Sequence, residues 1–295
     1  MRSCAVVCLL CGCELVFPLT DPDDAGAVTF EDAPDNDPTQ PAFTLFTAGG
    51  PIFANEAPAQ VEVTAEGPVA PFVHIRFDSG GVGGFAPVQL DPAFGTGAVT
   101  VATMWTPPDH FQNVVLRAEA SLADSFEPSN DAPLTVPVSQ HFGHLTTTTT
   151  TRLTPNQFIA MRVELGAVAG IVVDFTIRAT TNNQLKLGVY NSSANGMPKT
   201  RLNELGPFMI APGDAGVKVI TMAVPTAVVG RLWLVLLAEA NTDVATGDKG
   251  ITTDETPPLA GTVTKFTDPL PATFPQPFTV EASRRNWGLS MTVAP

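Results

Sequence analysis

Apolar residues recur at every second position along much of this chain. Ile171, Val173, Phe175, Ile177 and Ala179 give the longest such run. Val61, Val63 and Ala65 repeat the pattern, as do Val73, Ile75 and Phe77, with His74 and Arg76 on the opposite phase. Val114, Leu116, Ala118 and Ala120 continue it, followed by Leu134, Val136 and Val138. A period of two puts alternate side chains on one face of an extended strand, whereas a helix would need a period near 3.6. Most of the 28 prolines and 24 glycines fall between these runs, where they break helices and make turns. The pattern predicts an all-β protein of half-buried antiparallel strands.

A chain of 295 residues is long enough for two cores. Hydrophobic residues make up 44% and charged residues 15%, so there is enough apolar material to fill them. The formal net charge of −14 sets the surface against nucleic acid and against bare anionic lipid. Membrane residence therefore needs a cause other than charge.

Residues 41–140 are expected to form one β-sandwich. About seven short strands in roughly 100 residues suit an immunoglobulin-like fold. Within it, Val99 to Pro108 followed by Asn113 to Ala120 resembles the later strands of bacterial immunoglobulin-like or fibronectin-type modules, where a Trp-Thr-Pro-Pro turn precedes a strand. The inter-sheet disulfide of antibody domains has no counterpart, because all four cysteines lie at positions 4, 8, 11 and 13. Residues 141–152 contain His141, His144 and the run Thr146 to Thr151, which fits either an exposed edge strand or a linker. The domain boundary is placed here, as a threonine-rich linker.

Residues 153–295 are expected to form a second sandwich. Met161, Val163 and Leu165 alternate, and Leu232 to Leu237 is continuously apolar, as a central strand would be. Asn182-Asn183 suits a hairpin turn into Leu185, Leu187 and Val189. Val217 and Val219 share one phase and Ile220, Met222 and Val224 the other, which predicts a β-bulge. Trp287, Leu289, Met291 and Val293 give a closing strand. Leu187-Gly-Val-Tyr-Asn-Ser-Ser-Ala-Asn-Gly-Met-Pro198 resembles a hairpin of bacterial extracellular jelly-roll domains, and Gly230 to Leu236 resembles one of their later strands. That resemblance implies a jelly roll of the kind found in secreted anchor and carbohydrate-binding-like modules.

The N-terminus carries an address. Arg2 precedes a short apolar stretch over residues 4–12, too short to span a bilayer. Leu10-Cys11-Gly12-Cys13 resembles the bacterial lipobox. The resemblance implies cleavage after residue 12, lipid on Cys13 and a membrane as partner. Several acyl chains, at about 0.8 kcal/mol per buried CH₂, would hold an acidic protein that the bilayer charge repels. Without the resemblance, the same run also fits a buried N-terminal strand. Residues 13–40 hold Asp21, Asp23, Asp24, Glu31, Asp32, Asp35 and Asp37 together with Pro22, Pro34 and Pro38, an acidic tether.

Motifs for chemistry are weak. His141-x-x-His144 has metal-ligand spacing but no cysteine or nearby carboxylate. Asp21 to Asp32 has the length of a calcium loop, yet Pro22 interrupts it and Ala25 takes a ligand position. Ser79 to Gly84 is glycine-rich without a following Gly-Lys-Ser/Thr. Asp109-His110 has no partner nucleophile. The ligand candidates that remain are the aromatic side chains Trp105, Tyr190 and Trp287, any of which could stack on a sugar.

These observations predict a cell-envelope lipoprotein without catalytic activity or cofactor. It would sit at the outer membrane or cell surface and present two sandwiches for adhesion or ligand binding, to a glycan or an envelope protein. A purely structural spacer is the second expectation. A polysaccharide hydrolase with carboxylates far apart in the chain is the third.

Overall fold

The computed structural model describes residues 37–144, 149–179, 183–210, 216–247, 259–262, 265–280 and 286–295. No helix occurs among them, and the strands are joined almost entirely by antiparallel pairing. The all-β expectation holds.

The first half contains β1 (Ala42–Ala48), β2 (Ile52–Phe53), β3 (Ala59–Glu66), β4 (His74–Asp78), β5 (Gly84–Ala86), β6 (Gln89–Leu90), β7 (Ala98–Thr106), β8 (Gln112–Ser121) and β9 (Asn130–His144). One sheet has the order β1-β3-β7-β5, and the facing strands run β9-β8-β4-β6. β2 pairs in parallel with β9 at Val138 and Ser139. This arrangement is that of an immunoglobulin-like sandwich, with β1, β3, β7 and β5 as its four-stranded sheet and β4, β8 and β9 in the other. Its core is built from the alternating residues: Val61, Val63, Ala65, Val73, Ile75 and Phe77 are buried with Leu116 and Val136.

The second half adds β10 (Thr149–Leu153), β11 (Gln157–Glu164), β12 (Gly170–Arg178), β13 (Gln184–Ser192), β14 (Pro198–Met209), β15 (Val217–Val228), β16 (Arg231–Ala238), β17 (Thr242–Gly247), β18 (Leu259–Thr262), β19 (Phe278–Val280), β20 (Asn286–Trp287) and β21 (Leu289–Ala294). Its two main layers are β15-β12-β21-β9 and β14-β13-β16-β11. Eight strands that alternate between two sheets in this order make a jelly roll. β18 and β19 extend the second layer, and β10-β17-β20 form a small third sheet.

β9 belongs to both sandwiches. Its 15 residues run without interruption. Residues Asn130 to Val138 pair with β8, and Gln140 to His144 pair with β21. One eight-stranded sheet therefore passes through both halves. The expected linker at 141–152 is corrected by this. Residues 141–144 finish β9, and 149–152 lie in β10, paired with β17. Threonine is β-branched and suits a strand, so a threonine run is not evidence of a flexible connection. Thr146 to Thr148 lie outside the described residues.

Phe111 strengthens the join. It follows β7 in the first half, yet its ring is buried in the second core, edge-on to Phe142 with centroids 5.9 Å apart. Gly170 leaves room for it, since a Cβ there would sit 2.6 Å from the Phe111 ring.

Three local expectations are revised. A register shift between Val172 and Asp174 flips the phase of β12, so Ile171 points outward and Val172 is buried. The irregularity in β15 lies between Thr221 and Thr226, a few residues later than the phase change suggested. Asn182 is not described, but the strands around it do not form a hairpin: β12 pairs with β15 and β21, while β13 pairs with β14 and β16. The hairpin expected at Leu187 to Pro198 is present, closed by the Ser193 amide donating to the Met197 carbonyl at 2.7 Å.

The apolar run in β16 is explained by burial on both faces. Leu232, Leu234 and Leu236 enter the jelly-roll core. Trp233, Val235 and Leu237 point the other way, into a second apolar layer with Phe158, Tyr190, Phe266, Leu270 and Phe274. The strap over residues 265–278 closes that layer. The Arg201 amide donates to the Ala272 carbonyl and the Phe274 amide to the Lys199 carbonyl, both at 2.9 Å.

Candidate functional surfaces

The three aromatic candidates are all interior. Trp105 is fully buried in the first core, and its indole N–H donates to the Val82 carbonyl at 3.3 Å. Tyr190 is fully buried under the strap. Its hydroxyl donates to the Pro271 carbonyl at 2.7 Å, and its ring meets Phe274 edge-on. Trp287 is buried in the jelly-roll core, and its Nε1 has no hydrogen-bond partner among the described residues. None of the three offers a ring face to a sugar, so the expectation of an aromatic platform at these positions is corrected. Each lies in or beside a strand whose inward phase is set by contacts distant in sequence.

The strap also encloses a polar cluster that the sequence did not single out. Lys186, on β13, points outward from the jelly-roll core into the layer beneath the strap. Its ammonium donates to the Asp268 carbonyl at 2.8 Å, lies 3.5 Å from a Glu204 carboxylate oxygen, and sits 5.2 Å from the centre of the Phe266 ring. Glu204 also accepts from the Arg201 guanidinium and from the Leu270 amide. Lys186 and Arg201 share the single carboxylate of Glu204, and the cluster is mostly covered, which fits a clamp on the strap rather than a reactive centre. Burial pushes the Tyr190 hydroxyl up to about 12, against the opposing pull of Arg201.

At the join, His141 stacks on Phe53 with ring centroids 4.2 Å apart. Its Nδ1 lies 3.0 Å from the Thr292 hydroxyl, which donates to Asp174 at 2.6 Å, and its Nε2 lies 3.8 Å from Glu56. Because the Thr292 proton goes to Asp174, the hydroxyl oxygen is left to accept from Nδ1–H. Thr292 is buried, so this chain of groups ties β9, β12 and β21 together without presenting a nucleophile. His144 ends β9, but its side chain is outside the described residues.

The outer face of the β9-β8-β4 sheet is charged. Arg76 pairs with Glu119 and lies over the Phe126 ring, and Arg117 pairs with Asp131 at 3.2 Å. His74 stands between Asp91 at 2.7 Å and Asp124 at 2.8 Å. Hydrogen bonds from Gln89 and then His74 hold the Asp91 carboxyl below its ordinary range. The alternation placed His74 and Arg76 on this face, but their partners come from loops and strands that only the fold brings close.

Asp109 and His110 pair with each other at 2.6 Å on the surface, with no nucleophile added. The bond to His110 lowers the Asp109 carboxyl. In the stretch Ser79 to Gly84, residues 79–83 make the turn between β4 and β5 and Gly84 opens β5. Among the described residues no group of three or more His, Cys, Asp or Glu is placed to hold a metal ion. Cys13 and the span from Asp21 to Asp32 lie outside the described residues.

No protein-family model matches the chain, and no curated protein does. Among solved structures, the chain is similar to the crystal structure of the infectious bursal disease virus VP2 subviral particle. The likeness has 8% identity and a TM-score of 0.28, and it covers 87% of this chain and 58% of that one. The chain thus spans under two thirds of the length of that protein. A likeness of this degree has no bearing on function.

Proposed function

We propose that this chain is a non-catalytic cell-envelope lipoprotein that acts as a stiff spacer. Lipid on Cys13 holds it at the outer membrane or cell surface, and the sandwiches stand outward from the membrane. The acidic tether expected over residues 13–40 is shortened to end before Asp37, because Asp37 and Gln40 are bonded to Asn130 of the fold. The observation that carries the spacer part of this reading is the continuous β9, while the anchor rests on the resemblance of Leu10 to Cys13 to a lipobox. A strand shared by two sandwiches transmits their orientation from one to the other, and the Phe111 plug adds buried contact across the same join. Two domains on a loop would instead swing independently.

The chain enters the immunoglobulin-like half first, so that half lies nearest the anchor and the jelly roll farthest from it. A partner at the outer end is an envelope protein rather than a glycan, because the aromatic residues suited to sugar stacking are interior.

Expression of the full chain with Cys13→Ser tests the reading. The wild type is expected to lose the mass of residues 1–12, to gain that of its lipid and to enter the detergent phase; the variant is expected to keep its full-length mass and stay aqueous. Equal mass and partitioning of the two would overturn the proposal.

A further inference from the structure

The end of the immunoglobulin-like sandwich opposite the jelly roll is built from four segments. The lead-in Asp37 to Pro41 is pinned by Asn130, whose side chain accepts from the Asp37 amide at 2.8 Å and donates to the Asp37, Gln40 and Pro41 carbonyls. The Leu122 amide donates to the Gln40 side chain at 2.9 Å, which brings in the loop between β8 and β9. The loop between β3 and β4 joins through the Gly67 amide, which donates to the Gly97 carbonyl at 2.9 Å. The Phe94 amide donates back to Pro71 at 3.1 Å, from the loop between β6 and β7. All four segments therefore share one end of the molecule.

That end carries exposed apolar side chains. In the stretch Pro68-Val69-Ala70-Pro71-Phe72, Val69 is 71% exposed and Phe72 56% exposed. Pro68, Pro71 and Ala93 are exposed beside them. Loops between strands are usually polar, and here a polar loop would cost nothing in packing. The loop is also firmly held: besides the bonds above, Phe72 bridges to Ala93, and the Val73 amide donates to Pro92 at 3.1 Å.

We infer that this apolar tip rests in the lipid surface to which the chain is tethered. The inference rests on the lipid-anchored reading above. Its occupant follows from where the undescribed chain ends. Residue 37 leaves the fold at this tip, and Cys13 lies only about 24 residues away. A tether of that length has a typical end-to-end distance of about 25–30 Å if flexible. The tip is thus kept within reach of the bilayer, and even a weak apolar contact becomes effectively intramolecular. Val69 and Phe72 enter the interface, and the prolines keep the loop backbone from needing many partners there. The acidic groups that surround the tip, Asp37, Glu66, Asp91, Asp124 and Glu127, favour zwitterionic lipid over anionic lipid.

The test couples the chain from Cys13 onward, which contains every described residue, to phosphatidylcholine vesicles bearing a maleimide lipid. Cys13 is then its only thiol. The reference is the same protein capped with a soluble maleimide. Amide hydrogen exchange over residues 67–73 and 92–96 is expected to slow several-fold on the vesicles. Exchange over Thr154 to Gln157, in the jelly roll, is expected to stay the same. A Val69→Asp/Phe72→Asp variant should lose the protection, and phosphatidylglycerol vesicles should give less of it.

Equal exchange at the tip on vesicles and in solution would overturn the inference. So would protection that appears in the capped protein as its concentration rises, which would assign the tip to a second copy. Because the anchoring is chemical, neither result depends on the lipobox, which the mass of the expressed chain tests by itself.

Discussion

β8 and β16 are both central strands, yet they are buried in different ways. Along β8, interior and exposed residues alternate: Val114, Leu116 and Ala118 face the core while Val115, Arg117 and most of their neighbours face out. Along β16, every residue from Leu232 to Ala238 is buried. The difference is the strap. The immunoglobulin-like half leaves one face of its β9-β8-β4 sheet to water and decorates it with ion pairs. The jelly roll covers the corresponding outer face with Phe266, Leu270 and Phe274. The hydrophobic pattern of a strand therefore reports how many of its faces are covered.

The sharpest way to break this contrast is to truncate one outward-facing residue in each strand. Trp233→Ala removes a fully buried ring together with its hydrogen bond to the Gly196 carbonyl. It is expected to cost about 3–5 kcal/mol in denaturant unfolding. Val115→Ala, on the outer face of β8, is expected to change stability by no more than about 0.5 kcal/mol. Similar costs for the two would mean that the strap does not seal the jelly-roll face.

Much of the contrast was legible in the sequence, and its failures have physical causes. The alternation in β4 and β8 and the continuous run in β16 follow directly from side-chain period. The fate of Ile171 was not legible, because a single bulge reverses phase and leaves no mark in composition. β9 was cut at residue 140 because a threonine run and two histidines look like a linker. Only pairing to β21, nearly 150 residues later, shows that the strand continues. The strap was hidden by its prolines, which disguise an apolar segment as a loop.

Trp105 and Tyr190 were candidates for the surface because their rings could stack on a sugar. Their burial depends on what lies across from them, such as Val82 and Pro271. The charged neighbours of His74 were equally invisible, since Asp91 and Asp124 come from separate loops.

Alkaline pH should separate the two halves. The chain has a single tyrosine, and residues 41–140 contain no lysine. Tyr190 in the fold titrates at about 12, while an unfolded tyrosine titrates near 10. The folded state therefore keeps a proton that the unfolded state loses. This stabilisation is complete below about pH 10 and is lost as pH rises through about 12, a total of roughly 2–3 kcal/mol. Tyrosinate absorbance should appear together with unfolding of the jelly roll. Tyr190→Phe should cost about 1 kcal/mol at neutral pH through the lost bond to Pro271, and should flatten the dependence between pH 10 and 12. Tyrosinate that forms near pH 10 without unfolding would show that the strap already admits water.

The smallest effects belong to the face without a strap. Arg76 and Glu119 are paired across β4 and β8 but remain partly exposed to solvent. Glu119→Gln is expected to cost between about 0 and 1 kcal/mol, and the cost should shrink as salt screens the pair. Arg76→Ala should cost somewhat more and retain part of its cost in high salt, because Arg76 also covers the Phe126 ring at 4.5 Å. The salt-resistant remainder thus measures how much apolar cover a charged side chain supplies where no strap exists. If both substitutions lose their whole effect in high salt, the outer face is held by charge alone, and the two halves differ even more than their burial suggests.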